Sequence, residues 1–271
     1  MKKIIEQLLT GFQYRMGWYL FFLTLLGQLL VSFLSLGLSR WFSVNLSEYP
    51  FAEPLIYVMM FLPVLLFLRK ELRGILFSAT NDKCRGRHLF LLPLFFISAV
   101  VLISSLPLPE PAEWYVVKMG EMVHPSRIVF TILTVSVLAP LLEELIFRGA
   151  VEREFLKSYS PPVAILLSAL MFGAIHQNLW QMVPAFLYGI IFGWLYYKFR
   201  NIWITIGLHS LNNTLSVVLA YAMRDDIGRA LLPFRDVVGN DLIFWPIIIV
   251  AIIIFVFSIY IIDRKLGDKI L

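Results

Sequence analysis

The chain alternates long apolar runs with shorter polar interruptions, and most runs are long enough to predict bilayer-crossing helices, each of which takes ~20 residues. Eight such runs lie at 17–38, 55–68, 89–108, 128–147, 162–178, 183–197, 202–223 and 242–262, the second short and carrying Pro63. The polar stretches between them have loop length, and the spacing shows no fixed repeat, so residues 1–271 read as a single membrane domain. LPLPEP at 106–111 predicts the end of the third helix, and SYSPP at 158–162 a break between the fourth and fifth. In the sixth run Gly189 and Gly193 form a small pair four residues apart, which predicts the close approach of another helix. Ahead of the first run, MKKIIEQLLTGFQYR places Ile4, Ile5, Leu8, Leu9 and Phe12 on one helical face and Lys2, Lys3, Glu6 and Gln13 off it. Residues 1–15 therefore predict an interfacial amphipathic helix lying on the membrane.

Composition fixes the class. Of 271 residues, 59% are hydrophobic and 15% charged, and a mean hydropathy of +0.81 excludes an ordinary soluble domain. The expected fold is all-α: a polytopic membrane protein of about eight transmembrane helices. The first run is too long for a signal-peptide core and is not followed by a small-residue cleavage site, so it reads as a retained helix. Basic residues set the orientation, because Lys and Arg gather on the cytoplasmic side. With the N-terminus inside, the inner segments hold 17 of the 23 Lys and Arg, so both termini are expected in the cytoplasm. The net charge of +5 is then a topology signal and implies no nucleic-acid partner; the partner it does imply is the lipid bilayer. Cys84, the sole cysteine, falls in the predicted inner loop NDKCRGR, which excludes a disulfide or a thiolate metal cluster within one chain.

Ionisable groups inside membrane helices are expensive, face the bundle interior and mark functional paths. Here they are concentrated in three runs: Glu143, Glu144 and Arg148 in the fourth; His176, preceded by Phe172, in the fifth; His209, Asn212 and Asn213 in the seventh. Gln28 is the one comparable polar group in the first run. Glu144 and Arg148 stand four apart with the acid first, the favoured order for an ion pair along one face. Glu143, rotated by about 100°, is left to face another helix. His209 and Asn213 share a face, as do Phe172 and His176. The midpoint between Glu143 and His176 falls in the SYSPP breaker, so an antiparallel hairpin brings them to one level if the fourth helix runs on through RGAVEREFLKS. One tension remains: counted from Arg148 or from Asn201, Glu143 and His209 lie only roughly 10 Å in, whereas His176 counted from Pro161 lies deeper. Tilt or a sunken helix start has to absorb that difference.

A carboxylate with two imidazoles and an amide suits hydrolysis: the acid takes a proton from water, one histidine assists, and the second histidine and the amide donate to an oxyanion. The same groups could be zinc ligands, Glu143, His176 and His209 from three helices, since neither histidine sits in an HExxH spacing. Two further readings stay open. One is a proton-coupled transporter using Glu143, His176 and His209 as a relay, against which stands the lack of an inverted repeat. The other is a non-catalytic membrane immunity or scaffold protein.

EELIFRG, FGAIH and HSLNN fit the patterns EExxxR, FxxxH and HxxxN, in that order, on successive core helices. This resembles the CAAX prenyl endopeptidase and bacteriocin-processing family of intramembrane proteases, over Glu143 to Asn213. The resemblance implies an eight-helix endopeptidase of a prokaryotic plasma membrane, with its core at 126–223 and a cavity open to the cytosol. Its substrate would be a prenylated or leader-type peptide. It makes Glu143 the base that activates water, assisted by His176, with His209 and Asn213 stabilising the oxyanion. Glu144 and Arg148, with Phe172, would organise the site, and no metal is favoured over the glutamate route.

Overall fold

The structure, a computed structural model, describes residues 2–77, 91–108 and 110–266, with side chains described from residue 15 to 264 within those segments apart from Ser47. The apolar face assigned to residues 1–15 and Cys84 fall outside the described side chains. Each of the eight apolar runs is a helix, and no strand occurs among the described residues. They are α1 (Lys2–Phe42), α2 (Ala52–Leu68), α3 (Leu91–Ser104), α4 (Ile128–Phe155), α5 (Pro161–Ala174), α6 (Leu179–Phe199), α7 (Ile202–Ala222) and α8 (Asp241–Leu266). The Arg15–Phe42 part of α1, together with α4, α6, α7 and α8, is long and apolar enough to cross a membrane, while α2, α3 and α5 are shorter apolar helices. The protein is a polytopic all-α membrane protein. α1 is unbroken from Lys2, so the amphipathic segment continues directly into the first span.

Two apolar clusters organise the bundle. One joins α1, α2, α4 and α5 through Phe61, Ile146, Phe147, Phe155 and Phe172. The other packs α3 and α8 on α6 through Phe95, Phe96, Phe192 and Leu195. The predicted glycines of α6 are both closely packed: a Cβ on Gly193 would lie 2.6 Å from the Glu152 carboxylate of α4 and 3.0 Å from the Ile165 side chain of α5, and one on Gly189 would lie 2.9 Å from the Ala169 Cα of α5. Backbone contact of this kind leaves no room for a side chain.

α4 is not a uniform helix. It widens to π geometry over Ile132–Leu138, returns to α over Ala139–Ile146, and widens again over Phe147–Glu152. Pro140 accounts for the first widening: it has no N–H, so the carbonyls of Val135 and Ser136, which face it at π and α spacing, lose their donors. α7 supplies replacements. The Asn213 amide donates to the Val135 carbonyl at 2.8 Å, and the Ser210 hydroxyl donates to the Ser136 carbonyl. In the second widening the Ser168 hydroxyl of α5 donates to the Phe147 carbonyl at 3.0 Å. In a membrane, freed backbone groups must find such partners within the protein.

α5 ends earlier than the apolar run predicts. It stops at Ala174, and His176 sits in the turn beyond it rather than on the helix. Gln177 is left-handed, with φ 57°, and the Asn178 side chain accepts from the Gln181 N–H at 2.9 Å, starting α6. Polar capping chemistry therefore overrides hydrophobic continuity at this point.

Candidate active site

Four helices and one turn bring the polar residues together. Contacts of Phe155 with Gly17 and Trp18, and of Tyr19 with Phe67, put residues 17–19 of α1 and the ends of α2 and α4 at one level. Counted from that level at 1.5 Å per residue, Tyr57, Glu143 and Gln28 lie roughly 14–18 Å in, close to the middle of a ~30 Å apolar layer. The shallow position expected for His209 is resolved by a sunken helix start. Ile202, the first residue of α7, packs where a Cβ on Gly149 would be, which lies roughly 9 Å up α4 from Phe155.

Glu143 and Glu144 part company as helical spacing predicts. Glu144 is fully buried, and its Oε1 accepts from Arg148 Nη1 at 3.1 Å and from His209 Nδ1 at 2.9 Å. Arg148 is also wholly buried; its Nη2 donates to the Gly189 carbonyl at 3.2 Å, and its guanidinium lies 4.5 Å from the Phe172 ring centre. Such a charge is tolerable inside a bundle only because its partners are fixed. Glu143 faces elsewhere. Its Oε1 accepts the hydroxyl of Tyr57, and its Oε2 lies 3.7 Å from His209 Nε2. His209 therefore stands between the two acids, its Nδ1 held by Glu144 and its Nε2 turned towards Glu143.

Phe172 links the histidines. Its ring meets His176 edge-on at 5.3 Å and His209 at 5.7 Å, and Phe192 stacks on His209 from α6 at 5.3 Å. His176 Nδ1 donates to the Phe172 carbonyl at 2.9 Å, which fixes the ring and leaves Nε2 outward. The direct Glu143–His176 pairing expected from the hairpin is not formed: no hydrogen bond or ion pair joins them among the described residues. Asn213 lies one helical turn from His209, with one N–H on the Val135 carbonyl. A zinc ion would need Glu143, His176 and His209 to converge, and among the described residues no three acid, histidine or cysteine side chains are gathered as metal ligands.

Three participants were not legible from spacing. Tyr57 lies in an otherwise apolar run with no partner at helical distance, Phe192 looks like any core aromatic, and Glu152 falls outside the motif. Glu152 is fully buried beside Gly193, with neither oxygen hydrogen-bonded among the described residues.

Comparison with known proteins agrees with the motif reading. Residues 125–215 match the family described as Type II CAAX prenyl endopeptidase Rce1-like. That stretch contains every motif residue from Glu143 to Asn213, and the resemblance is borne out there. The chain is similar to "Putative membrane peptidase YdiL" of Bacillus subtilis (strain 168), 26% identical over 164 residues, or 58% of this chain and 66% of that protein. It is also similar to an "Uncharacterized 24.3 kDa protein" of Escherichia coli, 29% identical over 123 residues, 44% of this chain and 57% of that one. The chain thus spans 66% and 57% of the lengths of these two curated relatives. No solved structure matches it with significance.

Proposed function

We propose that the chain is an intramembrane endopeptidase that hydrolyses a peptide bond of a membrane-associated peptide, prenylated or of leader type, with water activated by Glu143. The observation that carries this reading is the placement of Glu143 at mid-bundle, held by Tyr57 and facing His209, while Glu144 is occupied by Arg148 and His209. One acid is committed to structure, and the other has an oxygen directed towards an imidazole.

In the proposed reaction Glu143 takes a proton from water as the oxygen attacks the scissile carbonyl carbon. His209 Nε2 and the second N–H of Asn213 meet the developing oxyanion, and Glu144 steadies the charge on the His209 ring through Nδ1. His176 offers Nε2 to orient the water. Collapse breaks the C–N bond, and Glu143 returns the proton to the leaving amine. No step passes through a metal. The 17-to-6 bias of basic residues supports cytoplasmic termini and a substrate approaching from that side.

The test is incubation of the purified protein in proteoliposomes with an S-farnesylated peptide and a peptide-leader library, read by mass spectrometry. The expected result is cleavage at a defined bond that persists with a chelator present. Absence of cleavage together with substrate-dependent proton flux would overturn the reading in favour of a transporter.

A further inference from the structure

The site has a polar rim that the hydrolytic chemistry does not use. Gln28 of α1 and Gln177 of the α5–α6 turn meet through their side-chain amides, Gln177 Nε2 donating to Gln28 Oε1 at 3.0 Å. Both lie near mid-depth in the apolar layer, yet Gln177 is exposed, Gln28 is only half-buried, and Leu179 beside them is 62% exposed. An exposed amide pair at that depth is unfavourable against lipid, and non-helical backbone there persists only where it lines a cavity or is covered by protein.

The contacts around this pair close into a ring. Gly27 sits so tightly on α2 that a Cβ would lie 2.0 Å from the Met60 carbonyl oxygen, fixing the level of Gln28 on α1. Tyr57, one turn along α2 from Met60, holds Glu143. Glu143 faces His209, His209 packs on Phe172, and Phe172 touches His176, the neighbour of Gln177. The ring runs through α1, α2, α4, α7 and the end of α5, and the Gln28–Gln177 bond spans its edge between α1 and the turn. The turn itself is internally tied, with Asn178 Nδ2 on the His176 carbonyl at 3.1 Å and on Gln181 Oε1 at 2.6 Å. Gln177 is the residue it turns outward, to α1.

We infer that Gln28 and Gln177 form a clasp that binds the backbone of an extended peptide substrate where it passes between α1 and the α5–α6 turn on its way to Glu143. This inference rests on the endopeptidase reading and assigns that site its backbone-binding contact. A primary amide carries a donor and an acceptor on one plane, as a peptide group does, so the two carboxamides that satisfy each other in the free protein can each pair with a substrate amide. Exchanging one amide hydrogen bond for two leaves the buried carboxylate, the imidazoles and the helix contacts in place. The clasp residues are binding residues and touch no reacting atom.

The test uses the full chain in proteoliposomes with the S-farnesylated peptide or library peptide that the wild type cleaves, and with versions N-methylated at one backbone amide at a time. Gln28→Leu suits an apolar helix, and Gln177→Asn tolerates the left-handed backbone but is too short to reach α1. The expected result is a KM raised roughly tenfold in the double variant with kcat within about twofold, the size of the one net hydrogen bond that the exchange gains. The wild type should also lose affinity for one N-methylated peptide in the series, and the double variant should no longer distinguish it. An unchanged KM, or N-methyl discrimination retained in the double variant, overturns the clasp while leaving the protease reading intact. If the wild type cleaves none of these peptides, the protease reading fails and the clasp fails with it.

Discussion

The Tyr57 hydroxyl of α2 donates to Glu143 of α4, tying the acid that Arg148 leaves free to a helix outside the motif-bearing stretch. A carboxylate held this way has a fixed rotamer and one oxygen left for water and His209. Tyr57→Phe removes the donor and little volume. A hydrogen bond to a charged group contributes roughly 1.5–3 kcal/mol, so the expected loss is about 10- to 100-fold in kcat/KM. Peptide cleavage kinetics beside a thermal melt check it, and a melt lowered without any kinetic change would make Tyr57 merely structural.

Glu144 and Arg148 form a different kind of contact, a buried pair whose removal leaves an unpaired charge. Arg148→Ala strands Glu144 and should lower stability by roughly 3–5 kcal/mol. Arg148→Lys should rescue only part, because an ammonium cannot hold Glu144 and the Gly189 carbonyl while lying flat on Phe172. Unfolding in detergent followed by tryptophan fluorescence distinguishes the variants.

The spans, their order and the split between the two glutamates were legible in the sequence, because hydrophobic run length and four-residue spacing report directly on helices. The end of α5 was not: the run continues to residue 178, and only the left-handed Gln177 and the Asn178 cap reveal that His176 sits in a turn. The π segments of α4 were also hidden, although Pro140 inside the fourth apolar run was the signal that could have found the first of them. Tyr57 could not be found by spacing, since its partner lies 86 residues away.

Pro140 and Asn213 should therefore be coupled. Asn213→Ala leaves the Val135 carbonyl without its donor and should cost roughly 1–3 kcal/mol of stability. Pro140→Ala restores a backbone N–H nearby, so the same Asn213 change should cost less in that background. A double-mutant cycle on unfolding free energies reads the difference, and strict additivity would remove the proposed link between proline and amide.

Gly189 tests the α5–α6 packing. Gly189→Val would drive side-chain atoms into the Ala169 backbone and displace the carbonyl that Arg148 uses. Loss of a stable monodisperse protein in detergent is expected, by the overpacking mechanism that costs 1–3 kcal/mol or somewhat more. Gly207, whose added Cβ would meet nothing within 4 Å, should accept alanine and serves as the control.

The central claim is that Glu143 activates the water, and its most direct measurement is the single-turnover cleavage rate of Glu143→Gln beside the wild type, in protein matched for folding by thermal melt. Glutamine keeps the shape and can still accept from Tyr57, but cannot take a proton. The account predicts a fall of at least roughly a thousandfold with the melting temperature nearly unchanged. A folded Glu143→Gln protein that cleaves at the wild-type rate would contradict it.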